Sequence, residues 1–363
     1  MPLEDWREAP PEAVAPLLEA EADRWRRALD WDIGGALAQV EAGRRAGHVG
    51  GFLVRDADGR PSGWTYFHVS AGVLYVGALT AARADGVRAL LEAVLESPEA
   101  ALVKAYRCFV FPDGPAVEAA LARRRFDVEP YLYLSRDLGE TGLAAGEGSG
   151  DPRRANVDPC ERTAGAPPGA NAPDDASPAA RRGSGGHAPS GSDGLRPWDE
   201  ADLPATARLL ARAYAGTAGA RAFAPSGRLD EWAAYIAQIA RTPACGRLSP
   251  DESLVAAGDP PERPDGVILA TRLSPDTTHV AQVAVDPARR RRGLARFLVE
   301  ASAARAREAG CRRQTLLVAA SNTPARALYD RLGFVERATF LLAERPRISR
   351  AVDERRAGER VAR

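Results

Sequence analysis

The densest chemistry in this 363-residue chain lies between Val283 and Ala295, which reads Val-Ala-Val-Asp-Pro-Ala-Arg-Arg-Arg-Arg-Gly-Leu-Ala. An apolar strand stops at Asp286-Pro287, a short basic loop follows, and a helix opens through Gly293 and Leu294. That order makes an anion site. The first amides of a helix have no partner inside it, and the helix dipole favours negative charge there. Gly293 lets the backbone approach a phosphate, and Ala295 leaves room on the next face. Arg290, Arg291 and Arg292 add charge-assisted hydrogen bonds. A Walker loop needs Gly-Lys-Ser/Thr and a dinucleotide fingerprint needs three glycines, and neither pattern is present. A solvated basic turn and a local nucleic-acid patch are the other readings of four arginines in a row.

A second group stands in the run Ser321-Asn322-Thr323-Pro324-Ala325-Arg326-Ala327-Leu328-Tyr329-Asp330-Arg331-Leu332-Gly333-Phe334. The Tyr329 phenol is a proton donor, and a general acid needs reach first and a matched pKa second. The spacing of Ala325, Leu328 and Leu332 also gives that ring a core-facing neighbourhood, so packing is open to it too. Asp286 reads as the turn residue before Pro287.

Together the two runs resemble the signatures of the GNAT superfamily of N-acetyltransferases. Arg290-x-x-Gly293-x-Ala295 is similar to the Q/R-x-x-G-x-G/A loop, and Asn322 through Phe334 to N-x-x-A-x-x-L-Y-x-x-x-G-F. The resemblance spans roughly 195–345. It implies that the pyrophosphate of acetyl-CoA lies on the amides of Arg290, Arg291, Arg292, Gly293, Leu294 and Ala295. It implies that the pantetheine arm pairs with Val283 and Val285, in a split between that strand and Gln314–Ala319. The Val283 amide would then hold the oxyanion, Asn322 would contact the arm, and Tyr329 would protonate the departing thiolate. Some members place a base where His279 stands, and an imidazole accepts a proton near neutral pH. Water carrying the proton to bulk is the alternative.

These residues need elements to hold them. The patterns predict helices over 202–214, 229–239, 293–308 and 324–332. They predict strands over 253–257, 267–272, 279–285, 314–319 and 339–343. On the helix 293–308 the apolar set Leu294, Phe297, Leu298, Ala301 and Ala304 predicts the buried face, and Gly310 a stop. An α/β fold with a mixed sheet follows. The resemblance makes each half a mixed, mostly antiparallel sheet flanked by helices. The acceptor would be shaped by the loop 215–228, with Tyr214, Arg221, Phe223 and Trp232 nearby. No acidic cluster marking a polyamine or aminoglycoside stands out along the chain. The motif suits peptide N-termini and small amines alike.

The first segment, 1–138, repeats the pattern with an offset near 207. Arg83 to Arg88 matches the phosphate loop, and Phe126 matches Phe334. Arg88 stands for Ala295, Gly114 for Asn322, Leu121 for Tyr329 and Arg125 for Gly333, and Asp85 puts a negative charge beside the phosphates. This half is expected to be GNAT-like and non-catalytic. The uncharged stretch 61–82 is long enough to cross a bilayer, but its polar residues and the Ser70-Ala71-Gly72 break predict two strands and a turn. Between the halves, 139–194 is rich in Gly, Pro, Ala and Ser and poor in large apolar residues, so a disordered linker is expected. So is a disordered charged tail over 346–363.

With 49 basic and 49 acidic residues the net charge is zero, which opposes a nucleic-acid coat. The four cysteines form no CxxC pair and suggest neither a zinc site nor a disulfide framework. A cytoplasmic enzyme using acetyl-CoA, without metal, is expected, and its oligomeric state is open. Its partners would be acetyl-CoA and an amine acceptor. Two other readings are a biosynthetic acetyltransferase of the tandem type that completes mycothiol and a non-catalytic acyl-CoA sensor. Tyr329 together with Asn322 favours catalysis, since a sensor needs no leaving-group acid.

Overall fold

The computed structural model describes residues 2–112, 114–139, 194–217, 219–241, 245–260 and 262–347. Of the expected linker (139–194), residues 140–193 lie outside them, and of the expected tail (346–363), residues 348–363. The tail's first two residues are instead held, Pro346 ending the last strand and the Arg347 amide donating to the Lys104 carbonyl at 2.8 Å.

In the first half, β1 (Leu3–Asp5) leads to helices α1 (Pro11–Leu29) and α2 (Gly34–Arg45). Then come β2 (Gly50–Arg55), β3 (Pro61–Ser70), β4 (Val73–Ala81), α3 (Ala84–Glu96), β5 (Ala105–Val110), α4 (Pro115–Arg123) and β6 (Asp127–Asp137). The uncharged stretch is therefore the β3–β4 hairpin. Ala71 (φ +50°) and Gly72 (φ +77°) turn it, and polar residues end each run. The second half repeats the order. It runs β7 (Leu195–Pro197), α5 (Leu203–Ala213), α6 (Ala220–Phe223), α7 (Leu229–Arg241), β8 (Arg247–Leu248), β9 (Leu254–Ala256), β10 (Gly266–Ser274) and β11 (Thr277–Val285). It closes with α8 (Leu294–Glu308), β12 (Arg313–Ala319), α9 (Thr323–Arg331) and β13 (Val335–Pro346).

The halves share one sheet in the order β1-β2-β3-β4-β5-β13-β6-β12-β11-β10-β9-β7. Among the described residues only β4–β5 and β11–β12 are parallel pairs in this sheet. The two last strands are exchanged. β6, from the first half, lies beside β12 with Arg313 to Ala319 opposite Asp137 to Tyr131. β13, from the second half, lies beside β5 with Leu341 to Pro346 opposite Val110 to Ala105. The β6 and β13 strands also pair with each other.

Strand alternation sorts the core onto two faces. Leu341 and Ala343 of β13 pack with α3 and α4, and Leu132 and Leu134 of β6 pack with α8 and α9. On the opposite face, Phe340, Leu342, Tyr131 and Tyr133 pack under α1 and α2, and Ala284 packs under α5 and α7. Each half thus completes its core with the other's strand. Arg136 of β6 reaches between α8 and α9, donating to Gln314 Oε1 (2.7 Å) and to the Leu332 carbonyl (3.1 Å) at the end of α9.

Helix α8 is rolled from its expected face. Leu298, Val299, Ser302, Ala303 and Ala306 are buried, whereas Phe297, Ala301 and Ala304 are half-buried. The roll follows from packing on β10 and β11 and from Leu138 closing over Ala303 and Ala306. The expected pair Arg296–Glu300 forms at 3.1 Å, and Gly310 stops the helix at φ +90°. No helix among the described residues is long and apolar enough to cross a membrane.

Candidate active site

β11 and β12 are hydrogen-bonded only from Thr277–Val280 to Arg313–Leu316. Beyond Val280, β11 stays with β10 and β12 stays with β6, so the sheet opens into a split. The register between β10 and β11 slips at Ala281, which is the extra residue of a bulge. The Asp286 amide donates back to the Asp265 carbonyl at 2.8 Å. Strand amides alternate in direction, so those of Gln282 and Ala284 also face β10. The amides of Val283 and Val285 therefore face the split, where no strand answers them. Two donors in an extended row are suited to the amide-bearing arm of a thioester cofactor, and the inner one to its carbonyl.

The basic loop begins where this strand ends. Asp286 is buried and structural: its carboxylate caps the short turn at the Ala288 amide (3.0 Å) and pairs with Arg212 (3.0 Å). Burial opposes the charge, but both contacts hold the carboxyl below the usual carboxylate range. Arg289 is tied to Asp265 (3.1 Å), and Arg290 donates to the Ala213 carbonyl (2.5 Å) at the end of α5. Those two side chains fasten the loop to its neighbours, so the anion-binding charge expected of Arg290 is spent on α5. Arg291 and Arg292 are exposed and make no ion pair among the described residues. Arg291 (φ +60°) and Gly293 (φ +83°) both take left-handed backbone, and a Cβ on Gly293 would meet open space. The first α8 hydrogen bond runs from Phe297 to Gly293. The amides of Leu294, Ala295 and Arg296 thus lie free at the N-terminus, beside two unpaired guanidinium groups.

Asn322 is the N-cap of α9, its Oδ1 accepting from the Ala325 amide at 3.3 Å. Tyr329 is 6% exposed, edge-on to Phe334 at 5.6 Å. Its hydroxyl has no hydrogen-bond partner among the described residues. Burial raises its pKa, so the phenol stays protonated.

His279 does not suit the base role. It is 3% exposed, its ring lies 5.3 Å from Trp31 and 6.2 Å from Tyr133, and Nδ1 is bonded to Thr315 Oγ1 at 2.9 Å. Burial lowers its pKa to about 3. Its position on β11 gave no hint of the Trp31 lid, which comes from the first half.

On the acceptor side, Tyr214, Phe223 and Trp232 form one ring cluster, with Tyr214 5.9 Å and 5.3 Å from the other two. The Arg221 side chain lies outside the described residues. Gln282, beside the bulge, donates from Nε2 to the Tyr214 hydroxyl (2.5 Å) and accepts from that of Tyr235 (3.2 Å). At the end of β12 a cavity of roughly 70 Å³ is lined by Asp127, Glu129, Tyr131, Gly219, Ala319, Ser321, Leu342 and Glu344. The absence of an acidic cluster along the sequence is thus corrected. The cluster exists, assembled by the strand exchange from residues about two hundred positions apart.

The first half keeps the same split: β4 and β5 pair only from Val73–Val76 to Ala105–Cys108, and Gly77 is the bulge. β11 corresponds to β4 with an offset of 204, the loop with 207 and β12 to β5 with 208, so the second half is slightly longer between these strands. Arg125 takes φ +58° where Gly333 has φ +79°. The Asp85 carboxylate accepts from the Gly86 amide (3.1 Å) and from Arg83 (3.2 Å), placing this half's own anion at the α3 N-terminus.

Residues 219–334 match the model of the acetyltransferase (GNAT) family. The crystal structure of a GCN5-related N-acetyltransferase from Sphaerobacter thermophilus is similar at a TM-score of 0.58, with 15% identity over 95% of both chains. A tandem GNAT protein from the clavulanic acid biosynthesis pathway is similar at 0.56, with 17% identity over 95% of this chain and 98% of that one. At such identities the likeness is one of fold. A comparison with curated proteins gave no match. Within the second half residues 219–334 carry the match to the GNAT family, and over the whole chain the likeness to the tandem protein is one of fold.

Proposed function

We propose that the second half transfers an acetyl group from acetyl-CoA to a primary amine by direct attack in a ternary complex. The observation that carries this reading is the alignment of the open Val283 and Val285 amides with the free α8 N-terminus and with Arg291 and Arg292. The loop amides from Arg290 to Ala295 would take the pyrophosphate, and the strand amides would take the arm. Asn322 would hold the turn beside it.

The neutral amine nitrogen attacks the thioester carbon, and its oxygen becomes an oxyanion facing the Val283 amide. The C–S bond then breaks, and the sulfur takes the proton of the Tyr329 hydroxyl. The amine sheds its proton to water, since His279 is enclosed and weakly basic. The first half is non-catalytic in this reading. Asp85 occupies its helix N-terminus, and Leu121 stands where a leaving-group acid would be.

The test is release of the free CoA thiol in the presence of a panel of amines, with Tyr329→Phe as control. The variant is expected to lose about 10²-fold in kcat while its acetyl-CoA dissociation constant stays within twofold. Full activity in Tyr329→Phe across pH would overturn the acid role. Acetyl-CoA binding without any transfer would favour the sensor.

A further inference from the structure

The cavity at the end of β12 is built across the exchanged strands. On one face of β6 the side chains run Tyr133, Tyr131, Glu129, Asp127, so the face changes from aromatic to acidic toward the mouth of the split. The neighbouring β13 repeats the change, with Phe340 opposite Tyr131, Leu342 opposite Glu129 and Glu344 opposite Asp127. On the other side of β6, Ala319 lies opposite Tyr131. Like charges placed opposite on a sheet repel. Arg107 answers Glu344, donating to it from Nε at 2.6 Å. Asp127 and Glu129 have no cationic partner among the described residues. Glu129 accepts only the Ser321 amide at 3.1 Å, and the nearby Arg326 is turned to the Ala320 carbonyl at 3.0 Å.

A second observation is independent of those carboxylates. Tyr131 lines the cavity, is 6% exposed, and has no hydrogen-bond partner among the described residues. Its phenol is therefore able to donate to, or accept from, a group that enters the cavity. The cavity is wide enough for an ammonium group and a methylene or two. Its floor is the last residue of β12 and its wall includes Gly219 of the loop after α5, so it opens beside the split.

We infer that this cavity holds the second cationic group of an acceptor that carries two positive charges, with Glu129, Asp127 and Tyr131 of the first half as its recognition residues. The inference rests on the acyl-transfer reading above and narrows its acceptor to diamines and related dicationic amines. The reacting amine must be neutral to attack, so the acidic residues serve the distant end of the molecule. The non-catalytic half thereby sets specificity in the catalytic one.

The test is calorimetric binding to the full chain saturated with CoA, using 1,4-diaminobutane, n-butylamine and 4-aminobutanoate as length-matched probes, with longer diamines beside them. The diamines are expected to bind at least tenfold more tightly than the monoamine, and the amino acid more weakly still. The Glu129→Gln variant keeps an acceptor for the Ser321 amide, and it and Asp127→Asn should each erode the diamine preference. The double variant should abolish it, and Tyr131→Phe should weaken diamines selectively. Equal binding of diamine and monoamine, no diamine binding, or a preference that survives the double variant would overturn the inference. Diamine binding without thiol release would sink the transferase reading and leave the cavity assignment standing. Thiol release with monoamines or peptides and no diamine preference would do the reverse.

Discussion

Between Trp31 and Tyr133, the His279 ring is held neutral by its surroundings. In an unfolded chain an imidazole titrates near 6.5, and here burial lowers the value to about 3. Between those values the unfolded chain holds a proton that the folded one does not, so stability falls as pH drops through that window. Moving from pH 7 to pH 5 should cost about 2 kcal/mol from this group alone. His68, on β3, is shifted in the same direction and adds to the slope. Urea unfolding at the two pH values should show the loss, and His279→Gln should flatten it. The same variant should keep a normal pH–rate profile, because the proton leaves through water. A profile that loses its acidic, low-pH limb in His279→Gln would restore the base assignment. Sequence position could place His279 on the right strand, but what covers it comes from Trp31, some 250 residues away.

At the scale of elements, the loop into α8 depends on left-handed backbone at Gly293. Gly293→Ala would meet no steric obstacle, so its cost is conformational, about 1–2 kcal/mol. It should weaken acetyl-CoA binding by about tenfold. Gly310→Ala also breaks a positive φ, at the far end of the same helix. It should lower the thermal midpoint without changing acetyl-CoA affinity, which separates the loop's role from general strain. Most of this element was legible. Apolar periodicity gave β11, α8, β12 and α9 to within a residue or two at most ends, since each buries a face whatever its neighbour. The strand partners were not legible. Val335–Pro346 alternates in the same way beside either half, and only packing chooses β5. For the same reason Asp127, Glu129 and Glu344 looked like unrelated surface acids, and the helix face of α8 was misjudged by about one residue.

For the whole molecule, the exchange makes the halves mutually dependent. A chain of 194–363 alone leaves the edge of β12 from Arg313 to Ala319 without β6, and removes Arg136 from between α8 and α9. It is expected to aggregate on expression, and co-expression with 1–139 should restore a soluble complex. In the full protein, cleavage at a protease site inserted between residues 150 and 185 should leave both pieces in one peak on gel filtration. Separation of the pieces at micromolar concentration would contradict the shared sheet. Two independent globules on a tether would behave in the opposite way in both experiments.

The position of β13 also sets an order in time. Leu341 and Ala343, among the last described residues, complete the apolar cluster that α3 and α4 begin. During synthesis the first half emerges with that cluster unfinished and with β5 bare on one side, and it waits through the whole second half for its closing strand. Domain-by-domain folding on the ribosome, the usual course for a chain of two units, is therefore closed to this one. The long wait with apolar residues and an unpaired strand edge exposed makes the nascent first half a client for holding chaperones. A circularly permuted chain that encodes β13 directly after α4 should shorten that wait and raise the soluble yield.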